Sequence, residues 1–180
     1  MAARLTWWQK VLVVFVASRI VTAVIFAVFA ALQPVSYRTG AAPDYFTFAA
    51  LWDGQWYWLI SLQGYPDALP VNELGQVTEN AWAFLPGYPA LMWVVTLGHH
   101  LPFPVLAPLV STVFAGGAAL LFYKLMAMRL PESTALFAVV LFCTAPLSPI
   151  LQVSYAESMA LFLLFGALIT PERLSHLGWQ

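Results

Sequence analysis

Charge is what this sequence has least of. Only 8% of its 180 residues are Asp, Glu, Lys or Arg, where a soluble domain carries about 25%. With 62% hydrophobic residues and a mean hydropathy of +0.81, a water-soluble domain is excluded and an all-α integral membrane protein is expected. The basic residues are scattered and the formal net charge is -1, which leaves nucleic acid without an electrostatic footprint. Cysteine is nearly missing too. Cys143 stands alone in an apolar run, so an intrachain disulfide is excluded and the residue reads as packing. There is no nucleotide-binding glycine loop, zinc-ligand spacing, dependable Ser/His/Asp arrangement, internal repeat or low-complexity tract. His99-His100 makes a poor metal pair, because adjacent helical residues point in different directions. No metal and no cofactor are expected.

What is present is a set of apolar runs. Residues 11–32 are long enough to cross a hydrocarbon core, which takes about 20 residues, with Trp7 and Trp8 at one interface and Arg4 and Lys10 just outside. A signal peptide cleaved near Val28-Phe29-Ala30 is the competing reading, but the apolar region is too long for one and contains Arg19. Near mid-membrane, a guanidinium calls for an anionic partner or a polar cavity inside the protein. Further spans are expected at about 104–126, at 133–151 (kinked or ended by Pro146 and Pro149) and at 155–170, stopped by Pro171. The apolar piece 90–97 is too short to cross. Arg4 and Lys10, Lys124 and Arg129, and Arg173 then fall on one side, the cytoplasmic one by the positive-inside rule. Both termini are expected there. The long loop 33–103 and the turn 146–157 share the opposite face, which brings Asp53 and Glu157 to the same side. One membrane domain, 1–180, is the simplest count.

The stretch from Leu51 to Tyr65 sets one carboxylate among three tryptophans and a tyrosine. Read as a helix, it aligns Trp52, Trp56, Leu59 and Ile60 on an apolar stripe, with Asp53, Tyr57, Ser61 and Gly64 on a more polar one. Such a helix suits the lipid–water boundary, with Asp53 aimed at water or a pocket. An interfacial anchor whose Asp merely helps the helix start is the plainer alternative. Aromatic faces with a carboxylate also suit sugar recognition, and one carboxylate can serve as general base for an acceptor hydroxyl. The same geometry fits a transporter vestibule.

Three ordered motifs carry a resemblance over nearly the whole chain: Trp52-Asp53-Gly54 with Gly64-Tyr65, Ala83-Phe84-Leu85-Pro86-Gly87-Tyr88-Pro89, and Ser154-Tyr155-Ala156-Glu157-Ser158. Together, and with Ser18-Arg19 in the first span, they resemble the PIG-V family of mannosyltransferases of GPI-anchor biosynthesis, and its bacterial branch in particular. The resemblance implies part of a GT-C glycosyltransferase fold, with amphipathic non-spanning helices in the first external loop. It also implies inverting transfer of mannose from a polyprenyl-phosphate-mannose donor to a sugar or lipid-linked acceptor, on the outer face of the cell membrane. By that analogy Asp53 is the catalytic base, and Trp52, Trp56, Tyr57, Glu157 and Arg19 are substrate-binding. Family members have about twice as many spans, so the chain reads as an N-terminal part whose remaining spans a second polypeptide could supply. The reading from another class is a non-catalytic multi-pass protein, a transporter fragment or a partner subunit, motivated by Arg19 and the proline-broken external helices.

Overall fold

The computed structural model describes residues 5–176, with side chains described for 5–170; Arg4, the Arg173 side chain and residues 177–180 lie outside the described part. It is all-helical. α1 (Trp7–Leu32) opens on a cap in which the Thr6 N–H donates to Gln9 Oε1 at 2.8 Å. α2 (Tyr45–Ala49) starts where Asp44 Oδ1 accepts from the backbone N–H of Phe46 and Thr47. There follow α3 (Asp53–Gln63), α4 (Gly87–Val95), α5 (Phe103–Ala127), α6 (Glu132–Thr144) and α7 (Glu157–His176), with 3₁₀ turns at Ala81–Ala83 and Ser148–Gln152. Among the described residues there is no strand, only isolated bridges at Ser36–Thr39 and Val71–Val77.

α1 and α5 are long and apolar enough to cross a membrane. The nine residues of α4 span only about 14 Å. The helix directions follow from paired residues. Trp7 stacks on Tyr123 and Phe15 lies against Gly116, so α1 and α5 are antiparallel. Lys10 pairs with Glu132 at 2.6 Å and Arg19 bonds the Cys143 carbonyl, so α6 rises beside α1. Ser111 bonds the Tyr155 carbonyl and Phe162 lies against Gly117, so α7 descends beside α5. A Cβ on Gly117 would sit 2.8 Å from the Phe162 ring. Glycine there is what lets the two backbones approach.

Three sequence expectations need correcting. Residues 133–151 are not one helix: α6 has 13 residues and ends at Thr144, where Ala145 turns extended before Pro146. Pro171 does not stop α7, which continues to His176; an apolar helix tolerates the missing amide donor where its surroundings re-satisfy the freed carbonyl. Trp52 is not part of the α3 stripe, since its φ of +54° puts it in a sharp corner before the helix. The face of α3 that packs inward carries Gly54, Tyr57 and Ile60, so Tyr57, from the more polar stripe, is buried while Trp52 and Leu59 are exposed. Tyr57 is drawn in by edge-on contacts with Phe84 and Tyr88.

α6 stops about 18 Å up α1, level with Arg19. The chain then runs irregularly from 145 to 156, and α2 and α3 occupy the space above. α7 begins beside Ser111, which lies eight residues inside α5, about 12 Å below its start. Residues 148–156 of this segment are therefore recessed within the bundle, while 145–147 stay exposed.

Candidate functional site

The site forms where the corner 50–52 meets this recessed segment. Ser154 donates its N–H to the Ala49 carbonyl at 3.0 Å, and a Cβ on Gly54 would lie 3.1 Å from Ser154 Cβ. A methyl there would force one side to give by a few tenths of an ångström. Asp53, one residue earlier, is half-buried, and its backbone N–H lies at the Tyr155 hydroxyl. The Tyr57 hydroxyl meets the Ala156 N–H. Trp52 holds a positive φ just before Asp53, at a cost of about 1–3 kcal/mol, and the turn it makes swings Asp53 toward α7.

Burial, then the nearby Glu79 charge, raise the Asp53 pKa above 3.8, while Arg38 opposes them. A carboxylate so raised is a better base, its proton affinity lying closer to the working pH. Tyr57 is pushed up to about 12, first by burial, then by the Glu157 and Asp53 charges, so it remains a protonated hydrogen-bond donor. Nearby on the chain, Gln152 Oε1, Ser154 Oγ and Glu157 Oε2 are buried with no hydrogen-bond partner among the described residues, while Gln152 Nε2 donates to the Tyr45 hydroxyl at 2.8 Å. Arg38 ties the rim together: Nη1 donates to Gln55 Oε1 at 3.2 Å and Nη2 lies 3.7 Å from Glu79 Oε1.

Of the residues singled out in the sequence, Asp53, Tyr57 and Glu157 meet here. Trp56 lies on the neighbouring face of α3, with its Nε1 donating to Glu79 Oε1 at 3.0 Å. Trp52 turns away, edge-on to Phe48, into a groove lined by Phe29 and Leu32 of α1. Arg19 is buried and meets backbone rather than a carboxylate. Its Nη1 donates to the Ser148 carbonyl at 2.7 Å, and Nη2 to the Cys143 carbonyl at 2.9 Å and Ser148 Oγ at 3.3 Å. Among the described residues no acid pairs with it. Arg38, Glu79, Ser154 and Tyr155 were not singled out as site residues. Arg38 had a signal, as the sole cation between residues 33 and 103, and Ser154 and Tyr155 lie inside the third motif. His99 Nε2 lies 3.0 Å from the Ser61 carbonyl, and the described residues hold no cluster of three or more His, Cys, Asp or Glu.

The chain matches no family model, no curated protein and no solved structure.

Proposed function

We propose that this chain is a membrane glycosyltransferase that moves a sugar, mannose by its motif resemblance, from a polyprenyl-phosphate donor to a hydroxyl of a sugar or lipid-linked acceptor. The observation that carries the reading is a half-buried carboxylate of raised pKa, Asp53, set where α3 meets Ser154 with Tyr57, Tyr155 and Glu157 around it, in a chain with two helices of membrane-spanning length. Asp53 takes the proton of the acceptor hydroxyl as that oxygen bonds to the anomeric carbon. The bond from that carbon to the lipid-phosphate oxygen breaks, the phosphate leaves with the electron pair, and the anomeric configuration inverts. Tyr57 and Tyr155 supply donors to the substrate, while Glu157 and Ser154 accept from sugar hydroxyls. Such a donor keeps its chain in lipid, which suits a site recessed beside apolar helices. In this reading α1 and α5 cross the cell membrane, α6 and α7 form a hairpin whose irregular tip lies level with Arg19, the termini are cytoplasmic, and the site opens to the outer face.

Sugar transfer from radiolabelled polyprenyl-phosphate-mannose in membranes containing the chain is the test. Transfer is expected, falling about 10²–10⁴-fold in Asp53→Asn with insertion unchanged. Near-normal transfer by Asp53→Asn would remove Asp53 from the base role. Solute flux into liposomes without transfer would favour a transporter instead.

A further inference from the structure

On the other side of α3 lies a second cavity of about 240 Å³, lined by Trp56, Gln63, Tyr65, Glu79 and Asn80. Its walls are pre-built. The Tyr65 hydroxyl donates to the Phe84 carbonyl at 2.7 Å, and Trp82 Nε1 to the Pro66 carbonyl at 3.1 Å, tying loop 64–66 to loop 80–84. Trp56 Nε1 is spent on Glu79, and Asn80 caps the turn at Ala81 through the Trp82 N–H. Gly64, at φ +73°, makes the bend that sets Tyr65 back over this wall. With their polar atoms committed, the rings have their flat faces left to offer. Trp56 is stacked by Phe84 on one side and Tyr65 by Trp82, and both rings line the cavity. Beside them, with Asn80 committed to the Trp82 N–H and the Thr78 carbonyl, are the Gln63 amide and the Glu79 carboxylate, able to donate to and accept from neighbouring hydroxyls. An apolar platform with a few convergent polar groups is the usual make-up of a small-molecule site.

We propose that this cleft is a saccharide subsite that holds a neutral hexopyranose of the acceptor, its ring lying on Trp56 and Tyr65 and its hydroxyls on Gln63 and Glu79. The assignment of this sugar to the acceptor rests on the glycosyltransferase reading. The cleft joins the reaction site through Glu79, which bonds Trp56 on one side and meets Arg38, held to Gln55, on the other. A glycan seated here is thus led toward Asp53. An ammonium ligand fits less well. The Glu79 charge already faces Arg38, and each aromatic ring has one side covered by its neighbour, so the rings form a floor and not the enclosing cage that cations prefer.

Saturation-transfer NMR of the full chain in nanodiscs, with methyl α-mannoside as probe and choline as comparison, tests this without turnover. The sugar is expected to bind and choline not to. Gln63→Ala, an exposed change that leaves the fold alone, and Tyr65→Ala should each weaken sugar binding about tenfold, the loss of one hydrogen bond or one stacking face. Gly40→Ala, where a Cβ would meet nothing within 4 Å, should bind as wild type does. No sugar binding, binding indifferent to both cleft substitutions, or choline in place of sugar would overturn the subsite. Transfer without sugar binding would sink the subsite alone. Sugar binding by a chain that transfers nothing would remove the acceptor role and count against the glycosyltransferase reading itself.

Discussion

Replacing Gly54 by alanine isolates the contact on which the site depends. In an exposed helix the change would stabilise by about 1 kcal/mol, since glycine loses more backbone freedom on folding. Here the new methyl would sit 3.1 Å from Ser154 Cβ and 3.5 Å from its carbonyl oxygen. Carbon contacts settle at about 3.5–4.0 Å, so one side must give by roughly 0.5 Å. Ser154 is fully buried and tied by its N–H to Ala49, and the next carbonyl, that of Tyr155, is held by Ser111. The movement therefore falls on α3, which carries Asp53. Overpacking costs about 1–3 kcal/mol, so after the helix gain the net loss of stability is about 0–2 kcal/mol. A displacement of that size at the reacting group costs up to about 10²-fold in rate. Initial transfer rates and thermal unfolding, measured on the same membranes, should show a large activity loss with a small drop in melting temperature. Gly40→Ala, where a Cβ would meet nothing within 4 Å, should change neither. Full activity in Gly54→Ala would refute the reasoning, and a melting temperature above wild type would show that Ser154 is free to retreat.

Because burial and Glu79 hold the Asp53 pKa above 3.8, the acid limb of the transfer rate should fall as pH drops through that raised value. Glu79→Gln should move the limb to lower pH and Arg38→Gln to higher pH, and a limb that ignores both belongs to another group. The same shift bears on stability. A carboxyl raised in the folded state contributes stability below its unfolded pKa and loses it as pH rises through the folded value, so Asp53→Asn should melt higher than wild type at neutral pH, and an equal or lower melting point would contradict the sign. Arg19→Met strips donors from two buried carbonyls, each worth about 1–3 kcal/mol when left unpaired, and should lower the melting temperature; Arg19→Lys, with one ammonium in place of the fork, should fall between the two. An Arg19→Met protein as stable as wild type would show that the carbonyls find other donors.

The parts of the fold that were legible are those set by composition over many residues. α1 and α5 declare themselves by length and apolar content. Asp53, Tyr57 and Glu157 stand out because a carboxylate among aromatic rings is unusual in so apolar a chain. Details set by single contacts were not legible. The sequence reading set Tyr57 on the more polar stripe of α3, yet tertiary contacts turned it inward to reach Phe84 and Tyr88, while Trp52, read as part of the helix, takes a turn before it. The end of α6 was visible in Pro146, which turns Ala145 extended and stops the helix at Thr144, but the donor that takes the freed Cys143 carbonyl, Arg19, lies more than a hundred residues away. An arginine in an apolar helix reads as a charge in search of an acid or a polar cavity. Nothing in the sequence says that it will serve as a forked donor to main-chain carbonyls.

That use of Arg19 explains how an irregular segment can lie so deep. At a depth where water is excluded, every freed carbonyl must find a donor, and the break after α6 frees several. Arg19 takes those of Cys143 and Ser148, Ser111 takes that of Tyr155, and Ser158 takes that of Leu151. The backbone of the segment is thereby stabilised from three helices, and α7 is free to start low and leave room for α3 above it. The oxygens without a partner among the described residues, on Gln152, Ser154 and Glu157, are side-chain oxygens at the end of this segment and the first turn of α7, so the irregular stretch is held more by its main chain than by its polar side chains.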